Sequence, residues 1–226
     1  MSATRDTIND KTRLSADAWA QAALDAIADQ GIAGVAVEPL ARRLGVTKGS
    51  FYWHFSNREA LLKRALERWE EQETGVPFQS LENEPDPRRR LQRVIREVNT
   101  SLRTSRIYQA LSAAADDPLI AAFVTRVSTR RIETLRQYYE AVGLSPDNAS
   151  RWARLTYSVF LGTLQIRRDM PGEWPHTDST EFSEYIAFLE RALLPDDDAM
   201  NPDLAAPAHP GAALTGTLAA NTATKS

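Results

Sequence analysis

Lys48, Gly49 and Ser50 follow directly on Gly45, Val46 and Thr47, and Tyr52 stands just beyond them. Lysine and serine are donors of the length needed to reach base edges, an exposed tyrosine hydroxyl is a good donor to a phosphate, and a glycine lets a backbone come close to its target. The preceding triplet has the composition of a tight turn between two helices. Gly45 can take the left-handed conformation that ends one helix, Val46 can plug the space under both, and Thr47 can cap the next, leaving its first N–H groups free for a phosphate. Such a turn is what a DNA-reading helix-turn-helix demands, but small-residue turns between helices are also common where no DNA is read, and both readings stay open on these residues alone.

Other chemistries are poorly represented. The chain has no cysteine, so it has no thiolate metal site, disulfide or cysteine nucleophile, and its three histidines, His54, His176 and His209, are too far apart in sequence for a local metal motif. No metal and no cofactor is expected. An enzyme would need a converging nucleophile, base and orienting group. The acidic runs instead fall where helix capping or solvation accounts for them, so an enzyme remains only the remote alternative. The net charge of -3 is unevenly spread. Between Val37 and Arg64 the bases Arg42, Arg43, Lys48, Arg58, Lys63 and Arg64 are opposed only by Glu38 and Glu59. A mildly acidic chain with one basic stretch suits a dimer that presents that stretch twice.

The elements that must position these residues read as helices throughout. Strand patterns are nearly absent, while apolar residues recur at spacings of three and four. Three helices are expected at the N-terminal end: Ser15 to Asp29 with Trp19, Ala23, Leu24 and Ile27 inward, Val37 to Leu44, and Thr47 to about Phe55. Phe51 and Phe55 lie one helical turn apart and read as core. Further on, Asp86-Pro87, Asp117-Pro118 and Ser145-Pro146 each set a capping side chain before a proline suited to the first helical position. Leu91, Val94, Ile95, Val98 and Leu102 form one stripe, and a long helix after Pro118 is expected to stop at Gly143.

From Trp152 to Ile166 apolar residues cover almost the whole helix circumference, which requires burial on every side. Packing against the same helix of a second subunit, completed by the helix carrying Phe182, Ile186 and Leu189, is the arrangement expected. A purely intramolecular core helix is the alternative. The expected homodimer seam is therefore Trp152, Leu155, Val159, Leu161, Phe182, Ile186 and Leu189. The fold class is all-α: an N-terminal three-helix helix-turn-helix domain at 13–73, with the motif at about 36–55, and a larger helical effector-binding and dimerisation domain at 74–195. Residues 196–226, rich in Ala, Thr and Pro, are expected to form a disordered tail. No apolar run spans a membrane and the first residues lack a secretory core, so a cytoplasmic protein with no membrane partner is expected.

Between Gly31 and Leu62 the blocks Leu40-Ala41, Leu44-Gly45-Val46, Lys48-Gly49-Ser50, Phe51-Tyr52-Trp53-His54-Phe55 and Glu59-Ala60-Leu61-Leu62 stand at mutual spacings that closely resemble the DNA-binding domain of the tetracycline-repressor (TetR) family. The resemblance runs from about Arg13 to Glu73. It implies that Thr47, Lys48, Gly49 and Ser50 enter the major groove, that Tyr52 and His54 touch phosphates, and that Trp53 lies near the sugar-phosphate wall or base edges. Arg58, just after the Asn57 cap of a fourth helix, is implied to grip another phosphate. One departure stands out: where the family usually carries Ser or Thr before the second helix, this chain has Val35 and Ala36, so that N-terminus loses a side-chain acceptor. Affinity is then expected to lean on Arg42, Arg58 and a basic arm around Lys11 and Arg13.

The resemblance further implies a regulator, most often a repressor, that binds a palindromic operator as a dimer. It places any small-molecule site among the C-terminal helices, where Asn99, Tyr108, Gln109, Tyr138, Thr156 and Gln165 are polar groups on apolar helices. Each of these six also suits a plain core hydrogen bond or a solvated surface. The effector's identity is not encoded in any motif, and a dimeric DNA-binding regulator without an effector is the alternative function.

Overall fold

A computed structural model of the chain describes residues 14–74 and 83–196. The basic arm at Lys11 and Arg13 and the tail beyond Asp196 lie outside the described residues. Those described form helices, with no strand among them: α1 (Ala16–Gln30), α2 (Val37–Leu44), α3 (Lys48–Tyr52), α4 (Arg58–Thr74), α5 (Pro87–Thr100), α6 (Leu102–Ala113), α7 (Pro118–Val142), α8 (Pro146–Asp169) and α9 (Thr180–Ala192). Short 3-10 turns stand at Ile32–Gly34 and Pro171–Glu173.

Local sequence accounts for most of the boundaries. Ser15, Asp86, Asp117, Ser145 and Ser179 each precede a helix and accept a backbone N–H of its first turn, and prolines follow Asp86, Asp117 and Ser145 directly. Gly143 ends α7 at φ 115°, a conformation costly for a residue with a Cβ. One boundary departs from expectation. The stripe from Leu91 breaks at Ser101, whose ψ of 95° is not helical, and Leu102 begins a separate helix as an exposed residue.

α1 packs on α2, α4 and α6; α4 continues past the small N-terminal unit to lie on α7; and α7 pairs along its length with α8. α9 lies against α5. One apolar core therefore runs without interruption from Trp19 and Phe51 through Trp69, whose indole neighbours the Tyr108 ring at 6.4 Å, to Tyr139 and Phe160. α4 is the beam connecting the two halves. No helix among the described residues is long and apolar enough to cross a membrane.

α8 is not buried on all sides. Tyr157, Phe160 and Leu164 are buried and Trp152, Val159 and Leu161 half-buried, but Leu155 and Ile166 are exposed. Phe182, Ile186 and Leu189 correct the expected seam more strongly. They are buried within the single chain, because α9 turns that face onto α5, and so are not available to a second subunit. The apolar residue α9 leaves in solvent is Phe188, 56% exposed.

Candidate nucleic-acid interface and internal cleft

α2 and α3 are held at a fixed angle by the turn between them. Gly45 adopts φ 68° and ψ 29°, its N–H donates to the Arg42 carbonyl, and the Val46 N–H donates to the Ala41 carbonyl at 3.0 Å. Val46 packs against the core as expected. Thr47 precedes α3, but its hydroxyl makes no capping bond; the Ser50 N–H donates to the Thr47 carbonyl instead. Beneath α3, Phe51 is fully buried, edge-on to Trp19 at 5.5 Å and tilted against Phe55 at 5.6 Å. This aromatic anchor fixes which residues face out.

Several of the residues that the resemblance turns toward DNA lie on the exposed side. Tyr52 is 58% and Trp53 78% exposed, although large aromatics ordinarily seek burial. Arg42 on α2, Thr47 before α3, and Lys48 and Gly49 on α3 are exposed, while Ser50 on α3 and His54 just beyond it are half-buried. Gly49 has no positive φ, and a Cβ built on it would meet only the Thr47 hydroxyl at 3.6 Å. The fold alone therefore does not require a glycine at this surface position.

Lys48 Nζ donates to Glu38 Oε1 at 2.9 Å, across from the first turn of α2. That hydrogen bond, reinforced by charge attraction, holds the Glu38 carboxyl below its ordinary range and raises the Lys48 ammonium above its own. Arg58 takes an unexpected position. Its Nε donates to the Val35 carbonyl at 2.6 Å and its Nη2 to the Ile32 carbonyl at 2.7 Å, so it clasps the 3-10 turn that leads into α2. That turn lies so close to α1 that a Cβ on Gly34 would stand 2.8 Å from the Ala26 carbonyl oxygen. Ala36 offers no side-chain cap, and Arg58 braces the same approach from outside. The Asn57 side chain accepts the Ala60 N–H at 2.8 Å, capping α4 as expected.

A cleft of about 700 Å³ opens where the last turns of α4 meet α5, α6, α7 and α8. Beneath it an apolar recess of about 30 Å³ is lined by Val94, Val98, Leu135, Thr156, Tyr157 and Phe160, with Arg131 bordering both spaces. Arg131 is 7% exposed and ion-paired to Glu73 in the last turn of α4. Its guanidinium lies 5.5 Å from the Tyr108 ring and 5.5 Å from that of Phe160.

Of the six polar residues expected at an effector site, Thr156 alone lines the recess. Its hydroxyl bonds that of Tyr139, which donates to the Leu193 carbonyl at 2.7 Å. Burial pushes the Tyr139 phenol up to about 12, against the opposing pull of the Thr156 hydrogen bond. Tyr108, Gln109 and Gln165 line a different groove of about 230 Å³. Tyr108 faces Tyr157 at 3.1 Å in a buried hydroxyl cluster with Ser128, Gln109 donates to the Leu164 carbonyl, and Gln165 is exposed and donates to Asp169. Asn99 and Tyr138 line neither cleft; Asn99 donates to the Ile95 carbonyl on its own helix, and Arg90 covers the Tyr138 ring at 5.8 Å. The residue overlooked was Arg131. Its signal was present, a cation at helical spacing on the apolar stripe Phe123, Val127, Leu135 and Tyr138.

Residues 21–65 match the family described as bacterial regulatory proteins, tetR family. The class A tetracycline repressor of Escherichia coli is 41% identical over 56 residues, 25% of this chain and 26% of that protein. The chain likewise spans only 25% of the class C repressor. A probable regulator of Pseudomonas putida, ArpR, is 33% identical over 163 residues, covering 70% of this chain and 74% of its own length. Among solved structures, NalD of Pseudomonas aeruginosa superposes with a TM-score of 0.57 at 24% identity over 84% of this chain and 98% of that one. A transcriptional regulator from Rhodococcus superposes with a TM-score of 0.61 at 22% identity over 80% and 92%. The chain belongs to the tetR family of bacterial transcriptional regulators, a family of regulators and not of enzymes.

Proposed function

We propose that this protein is a repressor that binds a palindromic double-stranded operator as a homodimer and releases it in response to a small molecule. The observation that carries the reading is the outward set on α3. Lys48, Tyr52 and Trp53 stand in solvent beside a glycine the fold does not require, on a helix whose other face is a fully buried aromatic anchor. Large exposed aromatics together with cationic and hydroxyl donors suit a phosphate-lined groove. Arg42 lies on the neighbouring helix and adds positive charge. Repression is favoured by relatives, since the class A match is a repressor and NalD is described as the secondary repressor of a multidrug efflux pump.

The dimer is supported by the apolar residues left outside. Leu155, Val159, Gly162 and Ile166 follow one another at three and four spacing on one face of α8, and Leu155 and Ile166 are exposed, as is Phe188 of α9. Two copies would place two α3 helices about 34 Å apart, or a multiple of it, matching successive major grooves. The ligand-responsive part is supported by the cleft at the far end of α4, the helix whose first turn clasps, through Arg58, the turn leading into the reading head formed by α2 and α3. A tenfold release of DNA requires a coupling of only about 1.4 kcal/mol. DNA binding would put the protein in the cytoplasm.

The test is selection of bound duplexes from a random library, followed by anisotropy titration of the winner and by a metabolite screen for its release. The expected outcome is an inverted repeat bound by a dimer. A non-palindromic or single-stranded preference would overturn the operator assignment, and tight binding that no compound in the screen weakens would favour a regulator without an effector.

A further inference from the structure

We propose that the cleft beside Arg131 takes an apolar carboxylic acid, whose carboxylate displaces Glu73 from the Arg131 guanidinium while its apolar end enters the recess between α5, α7 and α8. This rests on the reading of the protein as a ligand-responsive regulator and names the class of its ligand.

The argument starts from an unmet bond. Arg131 is more than nine-tenths buried and its Nη2 donates to Glu73, yet its Nη1 is buried with no hydrogen-bond partner. The rings of Tyr108 and Phe160 hold the guanidinium plane, so it cannot swing out to water to find one. The other charges around the cleft are satisfied. Glu71 pairs with Arg64 at 3.1 Å and Glu97 with Arg93 at 3.7 Å, while Arg103 pairs with Asp25 at 2.8 Å and Arg68 donates to Gln21 at 2.9 Å. What the cleft lacks is therefore an acceptor at Arg131. A planar carboxylate can take two parallel N–H bonds from a guanidinium fork, where Glu73 takes one. An amine would find no unmatched buried acceptor among the lining residues.

The surroundings set the rest of the molecule. Next to the guanidinium the recess is bounded by Val94, Val98, Leu135, Tyr157 and Phe160, and its space of about 30 Å³ admits the methyl tip of an alkyl chain or the edge of a ring. The outer cleft of about 700 Å³ holds the remainder. Occupation also has a mechanical consequence. Glu73 lies in the last turn of α4, whose first turn is clasped through Arg58 to the turn before α2, so freeing Glu73 removes one of the ion pairs that tie α4 to α7 and leaves the Arg126–Glu70 pair to hold it.

The experiment is calorimetric titration of the full chain with phenylacetate and 4-methylpentanoate, their primary amides, and phenethylamine, alongside operator anisotropy with each probe. The acids are expected to bind at least tenfold more tightly than the amides or the amine and to weaken operator binding. Glu73→Gln, which removes the competing carboxylate, should bind the acids about tenfold more tightly and show a smaller acid-induced release of DNA. Arg131→Gln should lose the acid preference; should that variant fail to fold, the acid-to-amide ratio and Glu73→Gln decide alone. Amide or amine binding equal to the acids, with DNA release, overturns the carboxylate assignment and leaves the ligand-responsive reading standing. Unchanged acid affinity in Glu73→Gln, or no binding by either acid, overturns the proposal itself, whereas the ligand-responsive reading falls only if the metabolite screen also finds no releasing compound.

Discussion

The reading head and the C-terminal half use their polar residues in opposite directions. Around α3 an aromatic core of Trp19, Phe51 and Phe55 faces inward, and Lys48, Tyr52 and Trp53 face water. Around α7 and α8 the polar groups turn inward: Asn99, Arg131, Thr156 and Thr163 are buried, Tyr139 and Tyr157 hold hydroxyl bonds in the core, and Leu155, Ile166 and Phe188 stand outside. The first arrangement is that of a rigid surface offered to a large charged partner. The second leaves apolar side chains in solvent and ties its polar groups into hydrogen bonds of the interior.

The comparison breaks first if the aromatic anchor does not hold the reading head. Phe51→Ala should destabilise the chain by about 3 to 5 kcal/mol through an emptied core. Urea denaturation is the check, and a loss below about 1 kcal/mol would mean that α3 is held otherwise.

On the other side, Leu155→Glu should leave the fold intact and abolish the dimer, because the residue is 49% exposed in one chain and would be buried between two. Sedimentation velocity at micromolar concentration should show a monomer for the variant and a dimer for the parent. A parent that sediments as a monomer removes the seam altogether.

Two cations of the reading head sharpen the contrast between reading and bracing. Arg58→Ala removes two charge-assisted bonds to backbone carbonyls and should cost about 1 to 2 kcal/mol of stability besides weakening DNA binding. Lys48→Ala removes only a surface pair and should leave the melting temperature unchanged while costing roughly ten- to a hundredfold in affinity for the preferred site and less for random duplex. Paired thermal melts and anisotropy titrations across a salt series separate the two. Equal melting temperatures would return Arg58 to a purely phosphate-gripping role.

The smallest effect concerns the attachment of α4 to α7. Arg126 donates twice to Glu70 at 2.8 Å, and that hydrogen bonding holds the Glu70 carboxyl below its ordinary range. A depressed folded-state value means that the pair stabilises above the ordinary carboxylate range, and that this contribution fades as pH falls through the folded value. Partial exposure limits it to no more than about 1 kcal/mol. The stability gap between the parent and Arg126→Ala should therefore be present at neutral pH and close in acid, and a gap that persists unchanged would assign the contact to packing.

What the sequence determined by itself is what acts over a few residues. Asp117 and Ser145 cap the helices that follow them, Gly45 ends α2 in the left-handed conformation, and Phe51 and Phe55 fall one turn apart on the buried side, because each depends on neighbours within one or two turns. The outward residues of α3 were legible through the resemblance to a family, which places Lys48 and Tyr52 on the side away from Phe51. Contacts between distant segments were not. Arg58 meets carbonyls 23 and 26 residues before it, and Arg131 meets a carboxylate 58 residues before it. Periodicity marks the apolar face of α9 but does not say what will cover it. Only the folding of α9 onto α5 made Phe182, Ile186 and Leu189 core and left Phe188 in solvent, since burial belongs to a surface and whatever packs against it, not to a residue type.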